Sequence, residues 1–336
     1  MAVLTSNFDT ALRRIQPSEA DRNNAPKAHE DVRGVLTSAE SLKEWGLSPI
    51  LIGSYKRRVA IQRVYDVDVF CRMDDISVDV EPSEVLDRFF TVLDDRYGTD
   101  GAGKRRVRRQ ARSLQVAFPE FDGLYVDAVP ARKRGDGTWE IPERNEQDWQ
   151  QTNPDELTSL TNAMNEQLTE LYVPTVKLLR QTRRTILKSR PGGLFVEMAF
   201  YDACLRGVVD STNQTLCYVT GLEALAQYLS DKVSWGAALP DPTLPGQTLT
   251  FRATDLQWEE ASEKFAAAAE KARAAYDGED RCEAAVKFRS LLGGNDDYDY
   301  VFPLPADCND DGSKKATASL IAPGERRIPA GDRRFG

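Results

Sequence analysis

The sequence predicts an α+β fold: a mixed sheet with helices against it over residues 1–155, a helical lobe over 156–306, and a flexible tail over 307–336. Three patterns predict it. As far as Pro130, short apolar runs alternate with polar positions between turn residues, the mark of half-buried strands. From Asp155 onward apolar residues recur at three-to-four spacing, so each helix has one stripe to bury. Past Asp307 apolar residues give way to Asp, Ser, Lys and Arg, too few to cover a core.

Phe8, Leu12 and Ile15 share one face of a short helix over 8–16, which Pro17 stops. Ser18-Glu-Ala-Asp then opens a long helix expected to run to about Trp45, with Gly46 as its end. A first core strand over 49–52 delivers the chain into Gly53-Ser54, and a second strand spans 64–71. Residues 82–97 form an amphipathic helix with Val85, Leu86, Phe89, Phe90 and Leu93 inward. Two more strands, 109–118 and 123–128, are joined by a turn at 119–123. The helical lobe follows as 157–171, 173–187, 193–209, 215–229 and 256–276, with a Pro-rich loop at 240–246.

The chemistry concentrates in the sheet region. Gly53-Ser54 at a strand-to-turn junction offers backbone N–H groups and a short hydroxyl to phosphate oxygens. Asp66 and Asp68 lie two residues apart in an apolar strand, so both carboxylates reach one face. Paired carboxylates repel each other unless a cation sits between them, and Mg²⁺ suits carboxylate and phosphate oxygens together. Asp127, in Leu124-Tyr125-Val126-Asp127-Ala128-Val129-Pro130, supplies a third carboxylate from another strand, as a two-ion site requires. The expected cofactor is therefore two Mg²⁺ ions, or Mn²⁺ in their place, held by Asp66, Asp68 and Asp127.

Composition removes several alternatives. His29 is the only histidine, which excludes Ser-His-Asp hydrolysis and multi-His zinc chemistry. The five cysteines are scattered and odd in number, which argues for isolated thiols rather than a disulfide framework. No apolar run is long enough to span a bilayer and no secretory pattern opens the chain, so a cytoplasmic protein without a membrane partner is expected. The net charge of −9 argues against nucleic acid as a general partner, although 104–112 is a dense basic run. Gly98–Lys104 fits the first part of a P-loop, but Arg105 stands where the Ser or Thr belongs and the preceding run is helical.

Taken together, Gly53-Ser54, Asp66-x-Asp68 and Asp127-Ala128-Val129-Pro130 resemble the polymerase-β-type nucleotidyltransferases. Within them the chain is most similar to the bacterial CD-NTases of CBASS anti-phage systems, relatives of oligoadenylate and cyclic GMP–AMP synthases. The likeness extends through Trp139-Glu-Ile-Pro142, Trp149, Thr152-Asn-Pro154, Val173-Pro174 and Glu197 to Phe288-Arg289 and Phe302-Pro303, or roughly residues 5–305. It departs at Arg180 and Thr182, where the family often has Lys and Trp, and at Phe195, where it often has His.

The resemblance implies a polymerase-β-type core plus a helical second lobe with the active site in the cleft between them. It implies a template-independent enzyme that joins nucleoside triphosphates, ATP or GTP foremost, into a cyclic di- or trinucleotide second messenger. A downstream effector would bind the product rather than the protein. Gly53 and Ser54 would grip the donor triphosphate, and Lys177 or Arg180 would meet its β- and γ-phosphates. The terminal Gly336 resembles those that a ubiquitin-activating-like enzyme conjugates in some relatives. Two alternatives share the same motifs: an RNA-tailing or CCA-adding enzyme, and a non-catalytic nucleotide-binding module.

Overall fold

Pro17 divides the N-terminal helical run into two helices that enter different cores. Helix α1 (Thr5–Ile15) buries Phe8, Ala11 and Ile15 among the helices of the second half. Helix α2 (Glu19–Ser38), opened by a reciprocal capping box between Ser18 and Asp21, buries Ala25, Ala28, Val32 and Leu36 against the sheet. The long helix expected to reach Trp45 ends earlier. Ala39 turns extended, and a short α3 (Glu40–Lys43) follows before Gly46. The computed structural model describes residues 4–145, 148–187 and 189–316; Gly336 lies outside them.

The sheet is built from β1 (Leu47–Ile52), β2 (Asp66–Met73), β3 (Val107–Arg109), β4 (Leu114–Phe118), β5 (Leu124–Lys133), β6 (Trp139–Glu143) and β7 (Asp148–Thr152). Its main path runs β1-β2-β5-β4-β3, with β2 and β5 parallel and the other neighbours antiparallel. The single strand expected over 109–118 is divided, because a turn from Gln110 to Ser113 reverses the chain between β3 and β4.

Alternation along β2 and β5 sets the layers. Val67, Val69, Cys71 and Met73, with Leu124, Val126 and Ala128, are buried beneath α2 and α5 (Pro82–Tyr97). The intervening residues, Asp66, Asp68 and Phe70 on β2 and Tyr125, Asp127 and Val129 on β5, must then face the other side. There Phe70 packs edge-on against Trp139, which begins the β6–β7 hairpin. The Gly98–Lys104 segment is no P-loop. It follows α5, and the Asp100 carboxylate accepts the amides of Ala102 and Lys104 at 2.9 Å each, N–H groups a phosphate would need.

Helices α6 (Pro154–Gln167), α7 (Tyr172–Ile186), α8 (Gly193–Leu205), α9 (Gln214–Trp235), α10 (Asp255–Asp277) and α11 (Arg281–Leu292) form the second lobe. Alanines 261, 268, 269, 272 and 275 let α10 lie close to its neighbours, and Phe302 returns to meet Phe8 and Phe288. Two expectations fail here. Cys282 and Cys308 form a disulfide, a pairing across 26 residues that spacing alone does not reveal. That bond and the Arg289–Asp310 ion pair at 2.7 Å hold residues 307–316 against α11, so this part of the expected tail belongs to the lobe. Cys71, Cys204 and Cys217 remain buried thiols, as expected.

Candidate active site

Asp68 and Asp127 are register partners on the parallel pair β2–β5, and Asp66 stands two residues before Asp68 on the same face. Burial and then the neighbouring Asp66 push Asp68 up to about 6, although Arg57 and Arg180 pull the other way. Asp127 is pushed up to about 7, by burial first and then by Asp68 and Asp66. Gln110 Nε2 donates to Asp127 at 3.3 Å, a neutral partner that leaves the excess negative charge in place. Buried carboxylates raised in this way by their acidic neighbours suit a bound cation, which would favour their ionised forms.

The turn after β1 closes over this face. Gly53 has φ +77, and a Cβ there would lie 1.9 Å from Asp68 Oδ2. Glycine is thus required both by the left-handed backbone and by the carboxylate beneath it. The following one-turn helix α4 (Gly53–Lys56) places Ser54 at the rim of the cleft and sends Arg57 inward. Arg57 forms a two-pronged ion pair with Glu197 of α8, at 2.7 and 3.0 Å, with both side chains buried. Glu197 is fully enclosed, and Arg57 is held above its ordinary value by Glu197 and Asp68 against the opposing effect of burial. This pair couples the sheet to the helical lobe directly under the site. Sequence reasoning singled out Glu197 but missed Arg57, whose only signal is its place just after Gly53-Ser54.

The two candidate phosphate contacts on α7 part ways. Arg180 lines the cleft and senses Asp66, Asp68 and Glu197. Its guanidinium fits against Gly193, where a Cβ would meet Nε at 2.8 Å. Lys177 turns away toward the N-terminal linker, buried, with its ammonium donating to Gln16 Oε1 at 3.0 Å. Burial and Arg58 lower it to about 8. Arg180, not Lys177, lines the cleft.

The cleft itself is a cavity of about 460 Å³. Gly53, Ser54, Asp66 and Asp68 floor it, the 152–154 segment after β7 closes one side, and Arg180 and Gly193 stand opposite. Its apolar lining is aliphatic: Leu157, Leu194, Met198 and Leu249. None of the tyrosines 55, 125 and 201 lines it, and Tyr201 is buried against Tyr172. Base stacking on these tyrosines is therefore not how this cavity holds a nucleoside.

The donor set suits a divalent cation. It is all oxygen, carries excess negative charge, and lies under a glycine cradle that keeps Asp68 accessible. Among the described residues no three acidic, histidine or cysteine side chains are already drawn onto one point. The basic run over 104–112, by contrast, is largely neutralised. Arg105 pairs with Asp94, Arg106 with Glu120, Arg109 with Asp87 and Arg112 with Glu143.

The model of the SMODS domain, the second messenger oligonucleotide or dinucleotide synthetase domain, matches residues 1–165. A cyclic AMP-AMP-AMP synthase from Acinetobacter sp. (strain ATCC 27244 / 9458) is 27% identical over 332 residues, covering 94% of this chain and 90% of the relative. Both indicate a bacterial CD-NTase. This CD-NTase is a nucleotidyltransferase that synthesises a cyclic oligonucleotide. Solved structures show the same fold. Escherichia coli MS115-1 CdnC with ATP superposes with a TM-score of 0.67 at 17% identity, over 89% of this chain and 98% of that one. Bradyrhizobium diazoefficiens CdnG in complex with GTP gives 0.64 at 16% identity, over 86% and 96%. No helix among the described residues is long and apolar enough to cross a membrane.

Proposed function

We propose that this CD-NTase uses ATP to build an adenine-containing cyclic trinucleotide that acts as a second messenger in anti-phage defence. The observation that carries the catalytic part is the register pairing of Asp68 with Asp127 on neighbouring strands, with Asp66 and Asp68 lining the same cleft as Arg180. The base and ring size are supported by the cyclic AMP-AMP-AMP synthase that aligns over 94% of the chain. The anti-phage role is supported by the motif resemblance alone.

Asp66, Asp68 and Asp127 would hold divalent cations, Mg²⁺ by donor chemistry, which supply charge neutralisation at the reacting phosphate and a lower pKa for the attacking hydroxyl. In each round a ribose hydroxyl oxygen forms a bond to the α-phosphorus of the donor. The α–β bridging bond breaks, pyrophosphate leaves, and the hydroxyl proton passes to the Asp127 carboxylate. Ser54 donates its hydroxyl to the donor phosphates, and Arg180 balances charge on the β- and γ-phosphates as they depart. Arg57 and Glu197, paired with each other, fix the sheet against α8 so that both walls keep their spacing. An RNA-tailing role is disfavoured by the ion-paired basic run.

Incubation with the four labelled triphosphates and Mg²⁺, without RNA, tests the reading. A phosphatase-resistant product made from ATP alone is expected. Extension of added RNA, or release of no pyrophosphate, would overturn it.

A further inference from the structure

The cleft holds a second charge imbalance, opposite in sign to the carboxylates. Beside the large cavity lies a smaller one of about 230 Å³ that shares Ser54, Asp66, Arg180 and Gly193 as a common wall. Its remaining polar lining comes from Arg63, Tyr65, Arg183 and Arg184. Residues 180, 183 and 184 are neighbours on one face of α7, so three guanidinium groups converge from one helix. Among the described residues none of these three has a carboxylate within 4.0 Å, whereas Arg63 pairs with the half-exposed Asp296 at 3.2 Å.

The groups are held in place by neutral oxygens. Arg183 Nε donates to the Pro191 carbonyl at 2.7 Å, and Arg184 Nη1 donates to the Gln62 carbonyl. Such bonds orient a guanidinium and leave its other N–H groups and its whole charge available. Arg183 is held below its ordinary value by burial, then by Arg180, Arg190 and Arg184. Basic residues in the last turn of a helix complement its dipole, which accounts for Arg183 and Arg184 but not for Arg63 on another segment. In a chain of net charge −9, Arg180, Arg183 and Arg184, gathered with no ion-pair partner among the described residues, suit a bound anion.

We propose that Arg63, Arg183 and Arg184 join Arg180 in a polyphosphate subsite that takes the β- and γ-phosphates of the donor and the pyrophosphate it becomes. The neighbouring cavity, twice the volume, takes nucleosides. This rests on the nucleotidyl-transfer reading and extends it from one arginine to four. The subsite selects a triphosphate over a monophosphate end, so each round of joining draws a fresh donor into the same groove.

Inorganic tripolyphosphate and pyrophosphate probe the groove without any nucleoside. Tripolyphosphate should raise the melting temperature of the wild-type protein, because it binds the folded state alone. In R183Q/R184Q that rise should vanish. The KM for triphosphate should increase tenfold or more, with a smaller change in kcat, and pyrophosphate inhibition should weaken by a similar factor. Inhibition by adenosine should not move, and R183K/R184K should recover most of the loss. Wild-type KM and pyrophosphate inhibition in a folded R183Q/R184Q protein would overturn the proposal. If that pair fails to fold, R63Q and the single variants R183Q and R184Q decide instead: an unchanged tripolyphosphate shift together with unchanged KM in all three sinks it. Tripolyphosphate binding through these arginines without cyclic product would keep the subsite and remove the synthase reading. Product formation with undiminished pyrophosphate inhibition in the double variant would do the reverse.

Discussion

Asp68 meets two opposed demands. The fold buries its carboxylate beside Asp66 and opposite Asp127, while the proposed metal-binding role needs it ionised. Folded-state values of about 6 for Asp68 and about 7 for Asp127 exceed the ordinary 3.8, so the folded protein prefers both protonated. Their favourable contribution is complete below about pH 4 and is lost as pH rises through 6 and 7. Without divalent ions, the melting temperature should therefore fall between pH 4 and pH 8, and Mg²⁺ should restore it at the alkaline end. D68N/D127N should flatten that slope, and a slope parallel to wild type would contradict the assignment. D66A/D68A should abolish nucleotide joining while melting no lower than wild type without ions. Pyrophosphate release by that variant would show that these carboxylates are not the centre. The three aspartates were legible in the sequence because period-two alternation in an apolar strand leaves few ways to place a charge. Arg57 was not, because its partner lies 140 residues away.

At the scale of elements, the β1-to-α4 turn does the positioning. Gly53 lets backbone approach the Asp68 carboxylate where a Cβ would overlap it at 1.9 Å. G53A should therefore cost more in activity than in stability, because the turn can move outward only by taking Ser54 from the rim. We expect kcat/KM to fall by 100-fold or more, with a melting temperature within a few degrees of wild type. Near-normal activity in G53A would mean that the turn does not set the site. The α7 outcome shows where pattern reading stops. Lys177 and Arg180 are three residues apart, so helical spacing puts both on the same broad face. Packing separates them. Lys177 meets Gln16 at the α1–α2 linker, and Arg180 settles into the space that Gly193 leaves empty. Glycine at 193 was visible in the sequence, but its vacancy has meaning only once α7 and α8 are side by side.

Across the whole molecule, the cleft exists because the chain crosses between lobes more than once. Helix α1 leaves the sheet region to join the helical core, and Arg57 reaches over to Glu197. Removing one partner of such a buried pair costs about 3 to 5 kcal/mol, since the other charge stays enclosed without compensation. E197A should thus lower the unfolding free energy by that order, and E197A/R57M should regain much of it. A denaturation curve for E197A matching wild type would show that the lobes do not depend on this link. Five of the six helices after Asn153 were readable from periodicity, while α11 and the closure of the C-terminal strap were not, since neither cysteine lies in a recognisable motif. Cys308 is tied to Cys282 across 26 residues, and Arg281–Asp307 and Arg289–Asp310 ion pairs flank the bond. Closing a loop of that length restricts the unfolded chain by about 3 kcal/mol in the entropic account. No strap residue from 303 to 315 lines the cleft that holds Asp66 and Asp68. C308S, or a reductant, should therefore lower the melting temperature by several degrees and leave KM and kcat near wild type at 25 °C. Loss of activity in C308S without loss of stability would mean that the strap governs the cleft instead of merely fastening α11.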